Sequence, residues 1–324
     1  MHRWILLLAS LSSTVAGAQY DASRSSAADA HEDQAHARAL RHVARADSLL
    51  RAGRVAAAES LYYAIARWRP RDPAPRLALG RYLAARGATR IGAVLIEEAR
   101  QFGASPAAAA LYLAPLYARL GAWDSLRDLP AASLTRGERD RAAWLAARHA
   151  AVEGPDSIEV PLRRARDARS LGAVVLRVGS DSMIAEIDPE VRGLVVDHAH
   201  RDVRRFTGGT ADVQQMAGVI ERASLGAFTL TNVPVSFGAI GSGTARIGLD
   251  MLARWAPTAR DGRLLLRRDG TVVPRGRTER HALLLDPSQG ALAARQGRLE
   301  PVASILRNVP WTIDPRAGEL VLHR

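Results

Sequence analysis

The chain has 324 residues, of which 48% are hydrophobic, and a formal net charge of +12. It contains no cysteine and no lysine, so all 45 of its basic residues are arginine. These absences exclude disulfides, thiolate metal sites, thiol nucleophiles and every site that needs a lysine ammonium, such as a P-loop. The length suggests about two domains.

The positive charge does not by itself indicate nucleic acid. The arginines are scattered, with no run of five or six, and only 5% of residues are aromatic. Platforms that bind single strands combine basic residues with aromatic side chains on which bases stack. We therefore expect no nucleic-acid partner.

The N-terminus has the layout of a secretory signal peptide. An apolar stretch, 4–15, is followed by a small-residue cleavage site at Ala16-Gly17-Ala18. The stretch is shorter than the roughly 20 residues that a membrane-spanning helix needs. We expect a signal peptide at 1–18, a flexible linker at 19–36, and a secreted or periplasmic mature protein without a stable membrane span. An uncleaved anchor is the alternative.

Three glycines, Gly53, Gly87 and Gly121, recur at an interval of 34 residues. A small residue lies seven positions before each of them: Ala46, Gly80 and Ala114. Small residues at helical spacing, with a glycine at the helix end, predict paired helices. Over about 37–130 the pattern resembles the tetratricopeptide repeat, whose period is 34 residues, and a capping helix at 137–152 is expected to close a repeat domain at 37–152. The resemblance implies a peptide or protein partner bound by the helices, and a spacer that binds nothing is the alternative.

The second half favours strands. Residues 173–178 and 183–187 predict a β-hairpin that leads directly into Asp188. We expect a linker or short helix at 153–171, a β domain at 172–268, and a C-terminal β extension of the same domain at 269–324.

Three elements in this half are similar to the retropepsin-like aspartic proteases. They are a hairpin ending at Asp188, the stretch Leu225–Val235 with its Asn-Val-Pro-Val, and Ile247–Leu252, which reads I-G-L-D-M-L. The fold class implied is α + β multidomain: an N-terminal α-helical repeat solenoid followed by an all-β acid-protease-like (retropepsin) domain.

The resemblance places Asp188 at the catalytic aspartate, but the family's D-T-G reads Asp188-Pro189-Glu190. In such enzymes two aspartates lie side by side and share a proton. Pro189 removes the threonine hydroxyl and a backbone donor, and Glu190 adds bulk and charge. A plain strand-ending turn is the structural alternative for Asp188-Pro189.

Three functions follow from this degenerate motif. The leading one is an exported, non-catalytic peptide- or protein-binding module. The alternatives are an active aspartic endopeptidase that uses Asp188 across a homodimer, and a structural spacer of the cell envelope.

Two further motifs bear on the site. His198 and His200, at i and i+2, diverge on a helix, so we expect no metal site and no cofactor. Leu285-Asp286-Pro287 repeats Ile187-Asp188-Pro189 after 98 residues, which raises the alternative that 269–324 is the remnant of a second lobe.

Overall fold

A computed structural model of the chain describes residues 30–197, 200–208, 216–241, 243–272, 277–286, 290–306 and 309–323. The predicted signal peptide, most of the predicted linker and His198 lie outside these ranges. The first half is helical, with α1 at 30–51, α2 Val55–Trp68, α3 Pro73–Ala85, α4 Thr89–Gln101, α5 Pro106–Leu120, α6 Trp123–Arg127 and α7 Arg136–Ala146. None of the helices in the described ranges is long and apolar enough to cross a membrane.

The 34-residue glycine interval marks the turns inside three successive helix pairs. Gly53, Gly87 and Gly121 follow α1, α3 and α5, with φ of 68°, 91° and 68°. This left-handed backbone is accessible to glycine at little cost, so each glycine ends one helix and lets the next turn back. The predicted helix pairs are confirmed.

The pair α3–α4 is packed at backbone distance. A Cβ placed on Gly80 would lie 2.8 Å from Cγ1 of Ile96, and one on Gly92 would lie 2.7 Å from the carbonyl oxygen of Gly80. Only small residues fit at such a crossing. Gly80 therefore has the packing role that its position in the repeat predicts.

The third pair is shorter than the others, because α6 has only five residues. After it, Thr135 and Glu138 form a capping box that starts α7. The helix expected at 137–152 to close the array is present, but it ends at Ala146.

Residues 30–36 differ from the prediction of a flexible linker, because they belong to α1. His36 Nδ1 lies 2.9 Å from the buried carboxylate of Asp72, and Arg69 donates to Glu32 at 3.0 Å. These long-range polar contacts extend the helix into a segment that has no apolar periodicity.

The second half consists mostly of strands: β1 Ala151–Glu153, β2 Ser157–Pro161, β3 Ala173–Val178, β4 Asp181–Asp188, β5 Leu194–Asp197, β6 Arg204–Phe206, β7 Ala217–Leu225, β8 Phe228–Gly238, β9 Thr244–Gly248, β10 Thr258–Arg260, β11 Arg263–Arg267, β12 Thr278–Asp286, β13 Gly290–Arg295, β14 Arg298–Pro301, β15 Trp311–Asp314 and β16 Glu319–His323. Two short helices interrupt them, α8 Leu249–Leu252 and α9 Val302–Ile305. The α-helical first half followed by a β second half is confirmed.

The strands form two eight-stranded sheets. The first sheet has the order β1-β8-β5-β9-β4-β3-β7-β6, and β7 also pairs with β8. The second sheet has the order β14-β13-β12-β16-β15-β10-β11-β2. Side chains of both sheets meet in one apolar core, in which Phe228, Ile187 and Trp311 are almost fully buried.

Segment 153–171 is not the linker or short helix that its composition suggests. β1 ends there and β2 lies within it, with β1 paired to β8 and β2 paired to β11. Ile158 and Val160 of β2 are buried while their neighbours are exposed. A five-residue edge strand has too few apolar positions to be told from a turn by pattern alone.

The tail 269–324 supplies five strands of the second sheet, where it is joined by β10, β11 and β2. All pairings of this sheet among the described residues are antiparallel, whereas the first sheet contains the parallel pairs β4–β9 and β5–β8. The second sheet is therefore not a topological copy of the first.

The helical array packs directly on the second sheet. Arg86, at the end of α3, donates to the carbonyls of Leu283 and Gly318. Leu79 and Tyr82 of α3 share an apolar cluster with Leu284 of β12. The turn edge of the array at Arg86 is thus covered by the chain itself.

Candidate functional site

Asp188 is the last residue of β4, and it is only 2% exposed. Its Oδ1 accepts a hydrogen bond of 2.9 Å from the backbone N–H of Glu190. An aspartate that bonds the N–H two residues ahead closes an Asx turn. Asp188 thus turns the chain at the strand end, as the structural alternative predicts.

The other oxygen of Asp188 belongs to an ion pair. The parallel pairing of β4 with β9 sets Glu186 opposite Arg246 and Asp188 opposite Gly248. Arg246 Nη1 lies 3.0 Å from Asp188 Oδ2, and Arg246 Nη2 lies 3.2 Å from Asp167 Oδ2. One guanidinium therefore joins two carboxylates, one of them buried.

A second buried carboxylate, that of Glu186, holds Asp167 in place. Glu186 is 7% exposed and accepts from the backbone N–H of Arg166 at 2.8 Å and from the Ser170 hydroxyl at 3.0 Å. It ties residues 166–170 to β4. Sequence reasoning missed Glu186 and Arg246, because neither belongs to a motif and their partners lie 16 to 79 residues away.

Glu190 does not add its charge to the buried site. Its side chain is 54% exposed and lies 3.6 Å from Arg169, as a surface ion pair. The expected crowding of Asp188 by the charge of Glu190 is therefore absent.

The start of β13 contacts the Asp188 turn. Ala291 donates its backbone N–H to the carbonyl of Pro189 at 2.9 Å, and a Cβ on Gly290 would lie 3.0 Å from Cα of Glu190. Asp286, the last residue of β12, pairs with Gly290, so it lies beside the same contact. Pro287 is outside the described residues. The repeat of the Ile187–Pro189 motif thus has its aspartate close to the Asp188 turn.

Asp250 holds the chain beside this junction. Its Oδ1 accepts from the backbone N–H of Gly193 at 2.9 Å, and Gly248 donates to the carbonyl of Gly193 at 2.7 Å. Asp250 therefore fixes the segment that follows the Asp188 turn.

A cavity of about 390 Å³ lies between the helical array and the first sheet. Its walls come from α5, α7, β8 and the segment around Arg192. Two smaller cavities adjoin it, and Arg119 and Asp250 line all three. No group of three metal-ligating side chains occurs in the part of the chain that the structure describes.

Comparison with known proteins gives little. No protein-family model matches the chain, and no curated protein matches it. Among solved structures, the chain is similar to a retropepsin-like aspartic protease from Rickettsia conorii, with 12% identity, 36% of this chain and 93% of that chain covered, and a TM-score of 0.25. A likeness at that score carries no argument, so the retropepsin-like character and the tetratricopeptide identity both stay predictions.

Proposed function

We propose that the protein is an exported, non-catalytic binding protein that holds a peptide or protein partner. The observation that carries this proposal is the ion pair between the buried carboxylate of Asp188 and Arg246. An aspartic-protease dyad works because two adjacent carboxylates share one proton and position a water molecule. In this chain a guanidinium and a backbone N–H occupy the oxygens that would do so.

The geometry argues against a homodimer formed through Asp188. The carbonyl of Pro189 is bonded to Ala291 of the same chain, and Gly290 lies against Glu190. A second copy would have to displace this junction to bring its own Asp188 near.

The helical half supports a partner-binding role. All the large apolar side chains that are exposed among the described residues lie between Leu40 and Leu120. Leu111, Ile91 and Val94 are the most exposed, at 69%, 57% and 53%. Exposed apolar side chains are typical of interaction sites where they form a patch, and we infer that Ile91 and Val94, three residues apart on α4, belong to one. A pure envelope spacer has no use for them.

One observation favours a second candidate, an aspartic endopeptidase contained in one chain. Asp286 pairs with Gly290, and the next residue, Ala291, bonds the carbonyl of Pro189 in the Asp188 turn, so the two aspartates lie on either side of one contact. In this second candidate Asp286, not a second copy, supplies the partner carboxylate.

Proteolysis of a mixed peptide library between acidic and neutral pH tests the proposal. We expect no cleavage by the wild-type chain. Cleavage that disappears in both Asp188→Asn and Asp286→Asn would establish the endopeptidase instead. Cleavage that persists in both variants would indicate a contaminating protease, which a repeat preparation removes.

A peptide array tests the binding half of the proposal. Wild-type protein should retain a subset of peptides that the double variant Ile91→Gln, Val94→Gln releases. Arg177→Gln, an exposed change on β3, is the matched control and should retain them. Equal binding by all three proteins would contradict a partner site on the helices.

Export is tested separately. The signal-peptide prediction expects mature protein from the host to begin at or near Gln19. N-terminal sequencing that finds Met1 on a membrane-bound form would contradict it.

A further inference from the structure

The 390 Å³ cavity opens where the first sheet has a gap. β8 pairs with β7 along one edge, so β1 and β5 must share its other edge. On that edge of β8, β1 pairs with residues 229–231 and β5 pairs with residues 235–238. Residues 232–234 of β8 therefore have no strand neighbour on that side. Val233 and Pro234 of this stretch line the cavity. The cavity volume lies within the roughly 300–1,000 Å³ typical of small-molecule sites.

Positive charge dominates the cavity wall. Among the described residues, two carboxylates line it, those of Glu138 and Asp250. The same wall has four arginines: Arg119, Arg141, Arg192 and Arg254. The carboxylates are already engaged. Glu138 accepts from the backbone and the hydroxyl of Thr135, and Asp250 accepts from Gly193. The wall therefore carries more positive charge than its own acids balance.

The arginines have donors to spare. Arg192 and Arg254 make no hydrogen bond and no ion pair among the described residues, and the ion pair of Arg119 with Asp250 is long, at 4.0 Å. Arg141, 9% exposed, donates Nη1 to the carbonyl of Val235 at 2.8 Å. The buried Nε atoms of Arg119 and Arg141 have no hydrogen-bond partner in the part of the chain that the structure describes.

The charges also act on one another. Burial lowers the pKa of Arg119, the carboxylate of Asp250 raises it, and the positive charge of Arg192 lowers it. Burial lowers the pKa of Arg254, Asp250 raises it, and the charge of Arg119 lowers it. Arg192 and Arg254 are exposed, so water solvates part of each guanidinium, although burial also lowers the pKa of Arg192. Because a guanidinium keeps its proton in proteins, a bound anion would offset the like-charge repulsion that Asp250 leaves unbalanced.

The rest of the wall is apolar. Leu111 and Ala114 of α5 face it, together with Leu230, Met251 and Trp255. Guanidinium groups bind a carboxylate by paired hydrogen bonds, and apolar walls take the remainder of such a ligand. Asp250, within the cluster, disfavours a doubly charged group.

We propose that this cavity binds a small organic carboxylate with an apolar body, held by Arg119, Arg192 and Arg254. The inference is independent of the catalytic state of Asp188. A free fatty acid and the C-terminal residue of an apolar peptide both carry this chemistry, and the experiment separates them.

Isothermal titration calorimetry of the full chain tests the ligand class, with octanoate, octanol, octyl phosphate and acetyl-Ala-Leu as probes. We expect octanoate or acetyl-Ala-Leu to bind at least about tenfold more tightly than octanol, because charge-assisted hydrogen bonds are lost in the alcohol. If octanoate binds more tightly, the ligand is a fatty acid. If acetyl-Ala-Leu binds more tightly, the ligand is the C-terminal end of a peptide. Binding by neither, or tighter binding of octyl phosphate than of both, would overturn the proposal.

Variants locate the site. Of octanoate and acetyl-Ala-Leu, we take the one that binds wild type more tightly. Arg192→Gln and Arg254→Gln should each weaken the binding of this ligand by about tenfold or more. Leu111→Gln should weaken it by a smaller factor, while Arg177→Gln on β3 should leave it unchanged. Melting curves without ligand control for folding, and Arg192→Gln should melt no lower than wild type. Equal affinity of Arg192→Gln, Arg254→Gln and Arg177→Gln would overturn the assignment.

Discussion

Two groups of charged residues near the Asp188 turn differ in their balance of positive and negative charge. Around Arg246, two carboxylates meet one guanidinium at 3.0 Å and 3.2 Å. Around Asp250, three guanidiniums line the same cavity as one carboxylate, and the one ion pair of Asp250 among the described residues, with Arg119, is 4.0 Å long. The first group satisfies its own hydrogen bonds, as a structural element does. The second leaves donors free beside a cavity, which is the arrangement of a binding site.

The two groups are joined by a short piece of chain. Asp188 ends β4, and four residues later Arg192 reaches the cavity wall. Asp250 bonds the N–H of Gly193, the next residue. A rigid Asp188 turn thus sets the position of one wall of the cavity.

The largest effect is expected from Arg246→Leu. Removing one partner of a buried ion pair leaves the carboxylate of Asp188 without its counter-charge, which costs about 3 kcal/mol. Urea unfolding should show this loss of unfolding free energy. The matched change Arg177→Leu, at an exposed position that has no ion pair with any described residue, should cost far less. A loss of similar size in both variants would remove the distinction between the two groups.

A smaller effect is expected from Gly290→Ala, at the contact between the start of β13 and the Asp188 turn. Gly290 has φ +79°, and a Cβ there would lie 2.8 Å from the carbonyl oxygen of Pro189. Gly297 is the control, because it has φ +78° and open space around its Cβ position. Overpacking should make Gly290→Ala less stable than Gly297→Ala by about 1–3 kcal/mol in urea unfolding. Equal stability of the two variants would mean that Gly290 is not in tight contact with the Asp188 turn.

The contrast between these sites also shows what the sequence can predict. The glycine interval is a local signal, and it correctly located the turns after α1, α3 and α5. The strand end and turn at Asp188 were likewise predicted from a local signal, the Asp-Pro pair after an apolar run. Arg246 was not predicted, because its role depends on the parallel pairing of β4 with β9, which no short motif encodes.

The cavity was beyond prediction for the same reason. Arg119, Arg192 and Arg254 lie in three separate segments, among 45 arginines that look alike in the sequence. The edge strands β1 and β2 were missed because each is short. Contacts of long sequence separation create these features, and periodicity reports only on the nearest neighbours.

The smallest effect is expected from Arg192→Gln in the absence of ligand. Removing one of several like charges should leave the unfolding free energy unchanged or raise it by up to about 1 kcal/mol. Chemical unfolding in urea measures this difference. A loss of more than about 1 kcal/mol would mean that Arg192 has a structural role like that of Arg246.

The unfolding free energy of Asp188→Asn tests the central claim most directly. A structural Asp188 loses its charge-assisted bond to Arg246 in this variant, so we expect a loss of about 2 kcal/mol, without any change in peptide cleavage. Catalytic residues are often held at a cost to stability, and their replacement then stabilises the protein. An Asp188→Asn variant that is as stable as wild type, or more stable, would contradict a structural role for Asp188.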